Sequence, residues 1–82
     1  MTVEITLFGF GDDCPAGFVN NRKTLDVPSV QNLIEVLRLA GFDDFDGIAL
    51  LVNGSGVAPP NWESRIILNG DSIKVLSAIE GG

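Results

Sequence analysis

One segment of this chain has the period of an amphipathic helix, and it limits the possible folds more than any other feature. Its apolar residues recur at i, i+3, i+4 and i+7, namely Val30, Leu33, Ile34 and Leu37. Ser29 precedes them as a predicted N-cap, and Gly41 is predicted to end the helix. Because the chain has no other helical pattern of comparable length, this stripe is predicted to pack against one face of a sheet.

Strand-like segments precede the helix. The first predicted strand is the segment VEITLFGF, in which alternate residues point to one side: Val3, Ile5 and Leu7. A loop rich in Gly, Asp, Pro and Asn follows, and residues 23–27 then alternate as a short second strand. These segments predict a hairpin with a long tip.

The part of the chain after the helix predicts a second hairpin and a final strand. Apolar residues 48–52 lead into an Asn53-Gly54 turn and the start of a returning strand. A proline-rich turn follows, with one helical turn predicted around Asn61 to Glu63 and a brief apolar segment after it. The last strand is expected from Asp71 to Ile79.

The order of these elements predicts an α+β fold. Strand, strand, helix, strand, short strand and strand are compatible with a β-grasp, in which the first and last strands are parallel neighbours. We expect a mixed sheet of four to five strands with the one main helix packed on one face. A right-handed crossover through the helix favours this arrangement.

Length and charge set the class of protein. The 82 residues predict a single domain, 1–82, in which 80–82 form a flexible C-terminal diglycine tail. No apolar run approaches the ~20 residues that cross a bilayer, and the start lacks the features of a secretory signal, so a soluble cytoplasmic protein is expected. The net charge of −6 disfavours nucleic acid and anionic membranes and favours a protein partner with a basic patch.

The residue types that the chain lacks argue against an enzyme. It has no His and no Tyr, so the usual general bases and nucleophilic triads are absent. Cys14 is the only Cys, which excludes an internal disulfide and an iron–sulfur cluster. The acidic linker of residues 42–47 lacks the spacing of a calcium loop. We therefore expect no metal site and no bound cofactor.

The chain ends on two glycines, Gly81 and Gly82, directly after a predicted strand. Such an end is either disordered and inert, or it is a reactive carboxylate whose neighbouring residues lack side chains so that it can enter an active site. An α-carboxylate is ionised at neutral pH and resists nucleophiles, so a reaction needs activation by another protein. Extended, Glu80 to Gly82 reach about 10 Å, and glycine has no Cβ to obstruct a narrow channel.

Four motifs in residues 48–82 occur in an order that resembles one known family. They are Val52-Asn53-Gly54, Trp62-Glu63, Leu68-x-Gly70-Asp71-x-Ile73 and the terminal Ile79-x-Gly81-Gly82. Together they look like the MoaD/ThiS sulfur-carrier family. Over residues 1–45 the likeness depends on element order and on the helix start PSVQNLIEVL.

The resemblance implies a ubiquitin-like β-grasp that carries sulfur as a C-terminal thiocarboxylate. Gly82 would be the adenylated residue and the thiocarboxylate site, with Gly81 giving clearance. The implied partners are an adenylating enzyme that uses ATP and Mg, a sulfur donor and a sulfur-accepting synthase subunit. The Leu68 to Ile73 segment would be structural.

Several alternatives stay open at the level of sequence. The long hairpin tip looks like the molybdopterin-synthase small subunit, whereas the Pro and Trp segment looks more like the thiamine thiazole carrier. A ubiquitin-like modifier joined to lysines through Gly82 would use the same activation. An interaction domain with an inert tail is the third possibility.

A partner-binding surface is also predicted beside the tail. If the first and last strands are neighbours, Phe8, Leu76 and Ala78 share the sheet face that lies away from the helix. With Ile79 and Glu80 they would contact the activating enzyme or the sulfur acceptor. The alternative is that the acidic linker or the long loop folds over this face and makes Phe8 part of the core.

Overall fold

The fold is a five-stranded mixed sheet with one helix against one face. The computed structural model of the chain describes residues 1–11 and 14–77. Its elements are β1 (Thr2–Phe8), β2 (Arg22–Asp26), β3 (Gln31–Asn32), α1 (Leu33–Leu39), β4 (Ile48–Val52), β5 (Ser55–Val57), β6 (Ile66–Ile67) and β7 (Ser72–Ser77). The order β2-β1-β7-β4-β5, with β1 and β7 parallel and the other pairs antiparallel, confirms the predicted α+β architecture.

The core lies between the sheet and the helix. Val3, Ile5 and Leu7 of β1 are buried, as their alternation predicts. Ile5 lies opposite Ile73 of β7, so the inward side chains of neighbouring strands are in register. These side chains form one apolar cluster with those of α1. The alternate side chains of each strand therefore point to the face of the sheet away from the helix, which we call the outer face.

The helix begins three residues later than the sequence pattern indicates. Its N-cap is Asn32, whose Oδ1 accepts a hydrogen bond of 2.8 Å from the Glu35 amide, so the prediction of Ser29 as N-cap was wrong. Residues 31–32 instead pair with residues 66–67 as a separate two-stranded ribbon. This pairing keeps the backbone extended and leaves Val30, predicted to belong to the apolar stripe, 61% exposed.

The rest of the helical prediction is confirmed. Leu33, Ile34 and Leu37 are buried, and the buried stripe is wider than predicted because it includes Val36. Gly41 ends the helix with a φ of +107°, a conformation that glycine adopts without strain. The chain therefore turns sharply into the acidic linker.

The second hairpin turns as its residues predict, and a tryptophan anchors the segment after it. Asn53 and Gly54 both have positive φ, 53° and 86°, as a two-residue hairpin turn requires. The single helical turn is a 3-10 helix at Pro59–Asn61 rather than a turn around 61–63, because two prolines preset φ at its start. Trp62 is buried, and its Nε1 donates to the Val57 carbonyl at 2.8 Å.

Candidate functional site

The C-terminal tail follows β7, so the end of β7 defines the candidate site. Ser77 lies opposite Ile48, the first residue of β4. On the other side lies Gly9, where an added Cβ would meet the Ser77 Cβ at 3.5 Å. β7 is described as Ser72–Ser77, and five residues predicted to act in activation or partner binding lie outside the described residues: Ala78, Ile79, Glu80, Gly81 and Gly82.

The outer face of the sheet carries an apolar patch beside this end of β7. The parallel pairing places Phe8 directly opposite Leu76, and Ala49 of β4 lies on the other side of Leu76. Phe8 is 46% exposed. Leu51, two residues along β4 from Ala49, points to the same face. We call Phe8, Ala49, Leu51 and Leu76 the apolar patch.

Neither the linker nor the long loop makes Phe8 part of the core. The ring centroid of Phe45, in the linker, lies 5.9 Å from the guanidinium carbon of Arg38 in α1. Phe10 and Phe18 of the loop pack edge to face against Phe42, with ring centroids 5.9 and 6.1 Å apart. These aromatic rings pack against Phe42 and Arg38 rather than on Phe8, so within residues 1–11 and 14–77 the structure does not show the covered-face alternative.

Cys14 and the acidic side chains are the remaining candidate groups. Cys14 is partly buried and packs against the core. Among residues 1–11 and 14–77, no three His, Cys, Asp or Glu side chains are placed to hold a metal ion. Within the same residues no helix is both long enough and apolar enough to span a bilayer.

The motif residues around Asp71 form a hydrogen-bonded network at the opposite end of the sheet, about 20 Å from Ser77. The Asp71 carboxylate accepts hydrogen bonds from the Leu68 amide at 2.8 Å and from Asn53 Nδ2 at 2.9 Å. Asn53 Oδ1 in turn accepts from the Ser72 amide at 2.9 Å. One carboxylate and one carboxamide thus join the turn before β7 to the turn between β4 and β5.

The neighbouring turn residues extend this network to the start of β1. Asn69 Oδ1 accepts from the Thr2 amide at 2.8 Å, and the Gly70 amide donates to the Thr2 carbonyl at 2.8 Å. Gly70 has a φ of +86°, which explains why glycine occupies this turn. The Leu68 to Ile73 motif therefore has the structural role expected for it.

The network also changes the acidity of Asp71. Partial burial raises the pKa of this carboxyl, but the hydrogen bonds from Leu68 and Asn53 and the charge of Arg65 outweigh burial. The pKa of the Asp71 carboxyl therefore lies below its ordinary value of 3.8. A carboxyl with a depressed pKa in the folded state stabilises the fold above its unfolded pKa, and this contribution is lost as the pH falls through the folded pKa.

The substitution Asp71→Asn should lower the free energy of unfolding by about 1 kcal/mol at neutral pH, because an amide cannot accept both hydrogen bonds. The difference from the wild type should shrink as the pH falls below about 4, the pKa of the unfolded chain, and through the lower pKa of the folded carboxyl, where the wild-type Asp71 becomes protonated. Urea unfolding at several pH values measures both effects. Asp26→Asn, a change at an exposed carboxyl in β2, is the matched control. A pH-independent difference would contradict this account of Asp71.

Comparisons with known proteins agree with this geometry. A model of the ThiS family matches residues 5–82. The crystal structure of thiamine biosynthesis protein ThiS from Geobacter metallireducens is similar over 96% of this chain and 99% of that one, with a TM-score of 0.62 and 16% identity. SAMP1 from Haloferax volcanii is similar over 100% of both chains, with a TM-score of 0.72 and 21% identity. No curated protein sequence matches this chain. The two structures establish the fold as a ubiquitin-like β-grasp.

Proposed function

The chain belongs to the ThiS family of ubiquitin-like sulfur carriers, and from this membership we propose that its Gly82 carboxylate is the group that is activated and loaded with sulfur. The observation that supports this most directly is the extent of the family match, which continues through residue 82 and so includes the diglycine. The alignment of the tail with the family model supports a reactive tail over an inert one.

The proposed chemistry has two steps. In the first, a Gly82 carboxylate oxygen attacks the α-phosphorus of ATP, which gives an acyl adenylate and releases pyrophosphate. In the second, a donor that delivers sulfur at the oxidation level of sulfide attacks the acyl carbon, a C–S bond forms, and AMP leaves with the electrons of the broken C–O bond. The product is the Gly82 thiocarboxylate. Its sulfur adds to the electrophilic carbon of a double bond in a cofactor precursor bound to a synthase subunit, and water then cleaves the acyl C–S bond of the resulting thioester. This leaves the sulfur on the precursor and returns Gly82 as the carboxylate.

The protein serves as a carrier and co-substrate rather than as a catalyst. Its sequence contains no His and no Tyr, so it has few groups that transfer protons near neutral pH. ATP and Mg²⁺ accordingly belong to the activating enzyme. Because adenylation consumes ATP, we place the reaction in the cytoplasm.

The folded body gives the activating enzyme a surface to bind while the tail enters its active site. Phe8 and Leu76 lie one strand apart on the outer face, and β7 leads from Leu76 through Ser77 toward the tail. Gly9 leaves one side of Ser77 without a side chain. An enzyme docked on the apolar patch would therefore have the tail within reach.

Incubation with ATP, Mg²⁺, the adenylating enzyme of the same organism and a sulfide source should raise the intact mass by about 16 Da, because sulfur replaces one carboxylate oxygen. Mass spectrometry of the whole chain and of its C-terminal peptide measures the change and assigns it to Gly82. Omission of ATP is the control and should leave the mass unchanged. Slowly migrating conjugates with no thiocarboxylate would instead indicate a protein modifier. No change of either kind would contradict the proposal.

A further inference from the structure

Two cations lie side by side on the outer sheet face. Thr6 of β1 pairs with Arg22 on one side and with Lys74 on the other. Both cationic side chains are exposed, and the spacing of strands puts their Cα atoms about 10 Å apart. We call Arg22 and Lys74 the basic row.

The other three cations of the chain have partners within it. The Lys23 ammonium lies 3.4 Å from the carbonyls of both Ala16 and Ala40. Arg38 forms an ion pair of 3.6 Å with Glu35.

The third, Arg65, donates to the Ile66 carbonyl at 3.4 Å, and its charge acts on Asp71. Within residues 1–11 and 14–77, neither Arg22 nor Lys74 forms an ion pair. Among the described residues, the basic row therefore holds the two Lys and Arg side chains that have no ion pair or hydrogen bond within the fold.

The basic row borders the apolar patch. Lys74 lies directly opposite Leu51 in β4, and Leu76 follows two residues later on the same face of β7, about 6.6 Å further along the strand. Glu4 lies on the far side of the row, opposite Ser72. From the C-terminal end of β7 back toward its start, the outer face thus presents apolar side chains, then two positive charges, then the Glu4 carboxylate.

We propose that the activating enzyme binds this face with apolar side chains on the apolar patch and with a carboxylate between Arg22 and Lys74, a deepening that rests on the function proposed above. The charge expected of the partner at this face is negative, whereas the net charge of the chain favours a positive partner. A charge of −6 favours a basic partner surface, whereas the docking face itself presents a pair of cations.

This difference in sign makes the proposal testable with three variants: Arg22→Gln, Lys74→Gln and the double variant. Each makes the protein more acidic, so attraction by net charge would lower the KM for the carrier in ATP–pyrophosphate exchange with the adenylating enzyme of the same organism. Loss of a facing carboxylate contact should instead raise KM about 3- to 10-fold per substitution, with kcat unchanged. The KM of the double variant should also depend less on NaCl concentration.

Arg65→Gln is the matched control, because it removes one positive charge near Asp71, at the end of the sheet away from the tail. It should leave KM unchanged, and thermal melting shows whether each variant is folded. If the wild type supports normal exchange and the KM of the double variant is unchanged or lowered, the proposal of a carboxylate between Arg22 and Lys74 is wrong, but the proposed function is not affected. Absence of exchange with the wild type would overturn the proposed function and this inference with it.

Discussion

Addition of one phenylalanine after Gly82 should abolish thiocarboxylate formation and leave the fold unchanged. Under the proposed mechanism, the extension moves the α-carboxylate beyond the diglycine and places a bulky side chain where the tail would enter the active site of the activating enzyme. Correct positioning of reacting atoms contributes several kcal/mol to such reactions, so the rate should fall by more than about 100-fold. Intact mass after loading measures this loss, and thermal melting checks the fold.

Removal of the added phenylalanine provides the matched control for this variant. Treatment with a carboxypeptidase that removes terminal aromatic residues and acts slowly on glycine should return the chain to Gly82 and restore loading. Full loading of the extended protein before treatment would mean that the terminal carboxylate is not the working group. The interaction domain with an inert tail would then be the better interpretation.

Elements that depend on local periodicity were predictable from the sequence. The burial of Val3, Ile5 and Leu7 follows from alternation, because a strand beside a core must turn alternate side chains inward. The Asn53-Gly54 turn follows from backbone conformations that these residue types accept. The reaction site at Gly82, by contrast, stays a prediction, which depends on residue chemistry at the chain end and on motif order.

Features that depend on pairing between distant segments were not predictable in the same way. Ser29 is a reasonable N-cap in isolation, but the pairing of Gln31 with Ile67 holds the chain extended and moves the cap to Asn32. No local pattern indicates that contact. The helix start was therefore misplaced, although its buried face was largely correct.

The same reason explains why half of the apolar patch was missed. Phe8 and Leu76 could be placed together because the β-grasp order makes β1 and β7 parallel neighbours. Ala49 and Leu51 join them only through the antiparallel pairing of β4 with β7. Alternation within the segment 48–52 does assign these two residues to the side opposite Leu50, so the signal was present, but the neighbouring strand was not known.

Replacement of both Phe8 and Leu76 by serine should raise the KM of the activating enzyme for the carrier about 100-fold and leave kcat unchanged. Burial of a large apolar side chain at an interface contributes about 1.5–3 kcal/mol. Because neither Phe8 nor Leu76 is fully exposed before binding, the lower value applies, and loss of the pair costs about 3 kcal/mol, or about two orders of magnitude in affinity. Saturation kinetics of ATP–pyrophosphate exchange measure the effect. Because Phe8 is 46% exposed and Leu76 is partly exposed, the free energy of unfolding should fall by about 2 kcal/mol, and thermal melting checks that the double variant is folded.

Leu68→Ser is the matched control, since Leu68 is 55% exposed but lies in the turn before β7, at the end of the sheet away from the tail. It should leave both kinetic constants unchanged. A normal KM for the Phe8 and Leu76 double variant, together with normal loading at Gly82, would show that the tail alone is recognised. A raised KM for that variant and not for the control would instead mean that the enzyme binds the outer face of the sheet, because only this face distinguishes the two substitutions.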